Sequence, residues 1–216
     1  MSNDTIMHLL RVPVGMLQVN CYVIWNKATR ETLIIDPGAD AEAIASIITK
    51  HDLEPAGILL THGHVDHIGA IPDLVECWAI PVYVHPGDRP LYESPDNAVP
   101  PWLPAVKDLP EPVDTVPAVT GLDFTVIHTP GHTPGGVCYY AAGAATLFAG
   151  DTLFQRSVGR TDLPGGDADT LTGSIREHLL QLPPDVTVYP GHGPPTTIGE
   201  ELRHNPFLDI DPQGAP

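Results

Sequence analysis

Three histidines and an aspartate fall within the seven positions 61–67, "THGHVDH", directly after the apolar run "GILL". Buried imidazoles and carboxylates are costly unless they are hydrogen-bonded, paired or bound to a metal, so so dense a cluster at the end of an apolar strand calls for a shared partner. His62 and His64, two apart in an irregular loop, can point at one ion, while Asp66 and His67 can turn toward a second. Neutral imidazole and carboxylate suit zinc, iron or manganese, with geometry rather than affinity selecting among them. Three further segments carry the same residue types: His132 in "TPGHTPG", Asp151 at the end of "TLFAGD" and His192 in "YPGHG". Pro and Gly beside His132 and His192 fix tight turns and let the backbone approach closely. Alone, Asp151 would read as a turn cap; between the other two segments it reads as a carboxylate able to bridge two ions. A lone histidine is ordinarily a satisfied core or surface residue, and His8, His51, His178 and His204 keep that assignment.

The elements that must position these residues follow from the apolar pattern. "HLLRVPV", "QVNCYVIW" and "ETLIIDPG" read as strands, and "DAEAIASIITKHD" as a helix with an Asp suited to N-capping. "AGILLTHGHVDHIGAIPDLVECW" gives strand, polar loop and helix, and "IPVYVHP" a short buried strand. Residues 86–112 are crowded with proline and read as an extended loop with at most short helical turns, either a plain connection or a lid or partner surface. "VDTVPAV", "LDFTVIHTPG", "GGVCYYA" and "ATLFAGD" restore the strand pattern, followed by a polar loop, a helix near 168–182, the strand "VTVYPGHG" and a helix around 198–204. Four strand ends thus run into polar loops carrying His or Asp, and loops on one sheet edge bring distant residues together. Alternating strands and helices in both halves indicate two packed sheets with helices outside, an α/β architecture.

Composition narrows the function. The 216 residues suit one domain spanning 1–216, with 42% hydrophobic and 17% charged residues and many turns from 25 Pro and 20 Gly. A net charge of −17 repels nucleic-acid phosphates and anionic membranes, so the expected partner is a small molecule. Cys21, Cys77 and Cys138 form no CxxC pair and read as reduced, buried thiols. The start "MSNDTIMHLL" lacks a basic region followed by a longer apolar stretch, and no apolar run approaches the ~18 residues of a membrane span. The expected location is the cytoplasm.

In order, HxHxDH, a His in "PGHTPG", the Asp of "GD" and a final "GH" resemble the metallo-β-lactamase superfamily over nearly the whole chain. The resemblance implies an αβ/βα sandwich of two mixed β-sheets flanked by helices, with metals at one edge. It implies His62, His64 and His132 at one ion, Asp66, His67 and His192 at another, and Asp151 between them. The expected cofactors are two divalent ions, zinc first, with iron or manganese as alternatives. "FAGDTLFQRSVGRTDLPGGD" and "YPGHGPPT" look most like short bacterial glyoxalase II-type thioester hydrolases, which implies hydrolysis of the thioester of a small thiol by a hydroxide shared between the ions. The 24 residues after His192 are too few for the helical C-terminal domain with which larger glyoxalase II enzymes grip glutathione, which leaves the thiol carrier open. Arg160 stands where the family's basic residue contacts that carrier, although a plain pair with Asp162 is the alternative. Asp36 in "IIDPG", and the residues around His85 and His128, are candidates for orienting ligand imidazoles. The sequence also resembles persulfide dioxygenases of the same superfamily, where residues matching His62, His132 and Asp151 hold one iron; "GRTD" fits that alternative and "YPGHG" fits it less well. A nuclease is disfavoured by the acidic charge, and a non-catalytic metal-binding domain by the intact ligand set.

Overall fold

The computed structural model describes residues 6–208. Residues 1–5, part of the start read above as lacking a leader, and residues 209–216 lie outside the described residues. Five strands form the first sheet in sequence order: β1 (Met7–Val14), β2 (Val19–Asn26), β3 (Glu31–Ile35), β4 (Glu54–Leu59) and β5 (Val82–Tyr83). The first three pair antiparallel, and β3, β4 and β5 run parallel. The second half contributes β6 (Thr125–His128), β7 (Val137–Ala141), β8 (Thr146–Gly150), a small hairpin of β9 (Leu153–Phe154) and β10 (Ser157–Val158), then β11 (Thr187–Pro190) and β12 (Thr196–Thr197). Its main sheet has the order β12-β11-β8-β7-β6, with β8 and β11 parallel and the other pairs antiparallel.

Alternation along the strands builds the layers. On β2, Tyr22 and Ile24 face the second sheet, where they meet Tyr139 of β7 and Phe148 of β8. Cys21, Val23 and Trp25 face the other way, into a core shared with Ile44 and Ile48 of α1 (Ala41–Lys50) and with Ile71 and Leu74 of a later helix, Ile71–Trp78. Leu147 and Ala149 of β8 face Leu171 and Ile175, with Ile198 of a C-terminal helix beside them. Each fully buried Ile, Leu or Phe side chain contributes about 1.5–3 kcal/mol relative to an exposed one, so these period-2 faces hold helix, sheet, sheet and helix together. The one-turn α2 (Val65–Ile68) lies in the loop after β4, followed by α3 (Ile71–Trp78). α4 (Arg89–Tyr92) lies in the proline-rich segment, and α5 (Ala168–Ser174), continued by a wider turn over Ile175–Leu179, and α6 (Ile198–His204) cover the second sheet. Among the described residues no helix is long and apolar enough to cross a membrane.

Several details depart from the sequence pattern. "VDTVPAV" is not a strand: only single bridges form, Val113 to Tyr83 and Val119 to Leu122. Pro117 has no N–H to donate, and the two-residue β5 offers little edge to pair with. Asp40 does not cap α1 with its side chain; it sits in the left-handed region, and its Oδ2 accepts from Gly15 N at 2.8 Å, tying down the β1–β2 turn. All three cysteines are free, but Cys77 is exposed rather than buried. The expected polar loop through 67 is in part helical, since Asp66 and His67 lie on α2.

Candidate metal centre

Parallel β3 and β4, and parallel β8 and β11, send their C-terminal ends to one edge of the sandwich. Asp36 follows β3, His62 and His64 follow β4, Asp151 follows β8 and His192 follows β11. Two buried tyrosines lock that edge from opposite sheets. Tyr22 of the first sheet donates to Pro190 O at 2.6 Å, and Tyr139 of the second donates to Leu60 O at 2.6 Å. Asn20 adds a fork, donating from Nδ2 to both Pro190 O and Gly193 O at 2.9 Å, so the backbone around His192 is held on either side.

The hydrogen bonds assign the imidazole tautomers. Asp36 is buried, and its Oδ1 accepts from Thr61 N at 2.8 Å while its Oδ2 accepts from Thr61 Oγ1 at 2.6 Å. Because the hydroxyl proton goes to the carboxylate, the Thr61 oxygen accepts from His62 Nδ1, 3.1 Å away. His67 Nδ1 lies 3.0 Å from the same Asp36 Oδ2. His132 Nδ1 donates to Arg160 O at 2.7 Å and His192 Nδ1 to Leu17 O at 3.1 Å. Four imidazoles therefore spend Nδ1 on the outer wall and turn Nε2 inward, while His64 turns Nδ1 inward, 3.1 Å from His132 Nε2.

Among the described residues, three groups have ligand atoms within 4.8 Å of one another: His62, His64 and His132; His62, His67 and Asp151; and Asp66, His67 and His192. Asp151 lies between the first and last groups, with Oδ1 3.5 Å from His67 Nε2 and Oδ2 3.8 Å from His132 Nε2 and 3.6 Å from His192 Nε2. Among the described residues, buried His62 Nε2, His67 Nε2 and Asp151 Oδ1 have no hydrogen-bond partner. Leaving such atoms unsatisfied costs about 1–3 kcal/mol each, and lone pairs converging from N and O donors suit a divalent cation. The packing is tight enough to require glycine at 191, where a Cβ would stand 2.2 Å from Asp151 Oδ1 and 2.8 Å from His67 Cε1.

Charge divides the cluster. Burial, then the neighbouring imidazoles of His67, His132 and His64, holds His62 well below its usual range, and burial with His132 pushes His64 down to about 4. For His67 burial pulls the same way, yet Asp151, Asp66 and Asp36 together outweigh it and raise the imidazole well above its ordinary value. His192 is raised likewise, against burial, by Asp151 and Asp66. Burial would raise the Asp151 carboxyl, but His67 and His192 hold it well below the usual carboxylate range.

The seven residues singled out from sequence thus converge on one edge. The His85 and His128 rings themselves orient no ligand imidazole: they stack on each other at 4.3 Å, His85 Nδ1 accepts from Gly87 N at 3.2 Å, and His128 Nε2 lies 3.0 Å from Pro134 O. The Arg160 side chain forms a two-pronged pair with Asp162 at 2.7 and 2.8 Å, while its carbonyl holds His132. His8 and His51 flank the Trp25 ring, at 5.2 and 5.8 Å. Sequence reasoning gave no role to Thr61, Asn20, Tyr22, Tyr139 or Asp88, whose partners lie far along the chain.

Residues 14–192 match the sequence model of the Metallo-beta-lactamase superfamily. The chain belongs to the metallo-β-lactamase superfamily. It is 40% identical over 210 residues to a protein of Haemophilus influenzae named hydroxyacylglutathione hydrolase GloC, covering 94% of this chain and 99% of that one. Among solved structures it is similar to BLEG-1, described as a B3 metallo-β-lactamase, with 42% identity, a TM-score of 0.83 and coverage of 94% and 100%. TTHA1623, solved in a di-iron-bound form, is 43% identical with a TM-score of 0.78, over 92% of this chain and all of that one. ETHE1 from Myxococcus xanthus is 30% identical with a TM-score of 0.75, over 92% and 83% of the two chains. In this metallo-β-lactamase fold the His and Asp cluster lies where four strand ends meet.

Proposed function

We propose that this chain is a hydrolase that uses two divalent metal ions to cleave the thioester of a small acylated thiol. His62, His64 and His132 would hold one ion and Asp66, His67 and His192 the other, with Asp151 available to both. The observation that carries this reading is the pair of three-residue groups meeting at one carboxylate, with unpartnered buried donor atoms between them. Similarity to GloC supports thioester chemistry, and similarity to a protein solved in a di-iron-bound form supports two ions and makes iron a candidate beside zinc, which the donor set also suits. Bound divalent ions supply Lewis acidity and lower the pKa of a coordinated water toward ~7. Asp36 fixes His67 directly and His62 through Thr61, so both rings turn Nε2 inward without rearranging. A thiolate leaves with little need of protonation, since a free thiol has a pKa of about 8.5, so no side chain is required as general acid. Arg160, 46% exposed beside the His132 loop, would receive an anionic group of the thiol carrier by exchanging it for Asp162. The net charge of −17 argues against nucleic acid as substrate, and three free thiols suit a reducing compartment, the cytoplasm.

The deciding experiment measures metal per chain on protein purified without added metal or chelator, alongside turnover of acylated thiols, a β-lactam reporter and oxygen uptake on a persulfide. About two ions with thioester turnover and no oxygen uptake is the expected result. One iron with oxygen consumption replaces it with a persulfide dioxygenase built on His62, His132 and Asp151, a reading favoured by the 3.8 Å approach of His132 to Asp151 and by likeness to ETHE1.

A further inference from the structure

Asp88 lies in the proline-rich segment, at the end of the turn Pro86–Asp88, and its side chain is fully buried. Its Oδ2 accepts from Gly63 N at 3.0 Å and from Thr133 Oγ1 at 2.7 Å, and its Oδ1 accepts from Gly135 N at 2.5 Å. Gly63 separates His62 from His64, and Thr133 follows His132. One carboxylate therefore joins the two loops that carry one whole three-histidine group. We propose that Asp88 is the positioning residue of the His62, His64 and His132 group, so that losing its carboxylate weakens one bound ion and spares the other. This rests on the two-ion reading above.

Several observations support it. Among the described residues the His64 ring hydrogen-bonds only His132, so its position depends on the backbone that Asp88 holds at Gly63. The backbones themselves are pressed together: a Cβ on Gly135 would stand 2.1 Å from Asp88 N and 2.5 Å from Gly87 C, so the contact admits glycine alone. The second group hangs elsewhere, His67 on Asp36 and His192 on Leu17 O, with Asn20 and Tyr22 fixing the adjacent carbonyls. Burial pushes the Asp88 carboxyl up while Thr133, Gly135 and Gly63 pull against that shift, so the charge depends on these donors. The segment's α4 also closes over Gly63, whose Cβ would meet Tyr92 N at 3.1 Å and the Leu91 side chain at 3.3 Å. The proline-rich segment thereby braces the ligand loop from outside.

The test removes metal from loaded full-length protein with graded chelator and counts equivalents released per chain. Asp88→Asn keeps the shape but sets an amide N–H against backbone or hydroxyl donors. It is expected to weaken one equivalent about tenfold or more and leave the other within twofold of the unmodified chain. Thr133→Val removes one donor and should weaken the same equivalent by less. Gly135→Ala should reproduce the loss while leaving the carboxylate intact. Cobalt loading supplies a spectroscopic signature, because only the bands of the disturbed site should change. Parallel loss of both equivalents in the Asp88 and Thr133 variants, or loss of neither, overturns the proposal. Fewer than two equivalents in the unmodified protein overturns the two-ion reading itself, and this inference with it.

Discussion

The two three-residue groups lie side by side around Asp151 but differ in charge and in what holds them. The first, His62, His64 and His132, is all imidazole, and burial keeps His62 and His64 neutral. The second, Asp66, His67 and His192, is an ion-pair network without metal: His192 Nε2 lies 3.4 Å from Asp66 Oδ2, and both imidazoles are raised by surrounding carboxylates. Loading the first group requires few protons to leave, whereas loading the second must expel them from His67 and His192. A low-dielectric interior thus yields either neutral or charged ligands, depending on whether carboxylates face the rings.

The largest effect should come from the residue the groups share. Asp151→Ala is expected to lower metal content at both positions and to cut kcat/KM on the order of 10³-fold, as removal of a group organising transition-state charge does. Retention of two tightly held ions in this variant would show that the groups are independent. His192→Ala should lose one equivalent and most hydrolytic turnover. A variant that loses that ion and keeps its turnover refutes the two-ion mechanism. Asp36→Asn comes next: because Asp36 reaches His67 directly and His62 through Thr61, both equivalents should weaken, by about 10- to 100-fold. That contrast with Asp88→Asn is the sharpest separation of the two supports, read by the same chelator titration.

How far the sequence carries one toward this arrangement depends on the range of the signals. His62, His64, Asp66 and His67 are dense in seven positions, and His132, Asp151 and His192 each follow an apolar strand and stand beside Gly or Pro, so their junctions are visible locally. Asp36 is visible for the same reason. Asp88 is not: its three donors come from residues 63, 133 and 135, which only the folded chain brings near. Tyr22 and Tyr139 are hidden differently, since within alternating strands they read as core, and only the folded sheets reveal that their hydroxyls cross to opposite strand ends. "VDTVPAV" misleads because β-branched residues fit a pleated surface that is absent there. The tautomers, and with them the charge difference between the groups, draw on neighbours such as Thr61 and Asp66 and on partners that only the folded chain brings near, Asp36, Asp151, Arg160 O and Leu17 O.

That charge difference has its own signature in pH. In the metal-free protein the raised His67 contributes stability fully present below the unfolded value near 6.5, and lost as pH rises through its higher folded value. The depressed Asp151 contributes stability present above about 3.9 and lost as pH falls through its lower folded value. Metal-free protein should therefore be most stable between those limits and lose melting temperature as pH climbs above about 6.5. Metal binding should run the opposite way, tightening with pH and releasing protons, read from calorimetric heats in buffers of different ionisation enthalpy. Proton release confined to one equivalent locates the charge in the second group; equal release from both removes the distinction.

The smallest effect concerns the solvent side of the first group. The Arg160 carbonyl fixes His132, but its guanidinium is engaged by exposed Asp162, whose carboxyl it holds down at about 2. Exposed pairs contribute little to stability, so Arg160→Ala should leave metal content and melting temperature nearly unchanged. If the guanidinium receives an anionic thiol carrier, KM for such thioesters should rise about two- to fivefold with kcat unchanged, and KM for uncharged thioesters should not move. Asp162→Asn separates the two roles, because releasing Arg160 from its partner should lower KM for the anionic substrate while a structural pair would make both variants fail alike. Opposite signs in the two variants therefore assign the side chain to substrate and the backbone to metal positioning; equal signs leave Arg160 as support for His132 alone.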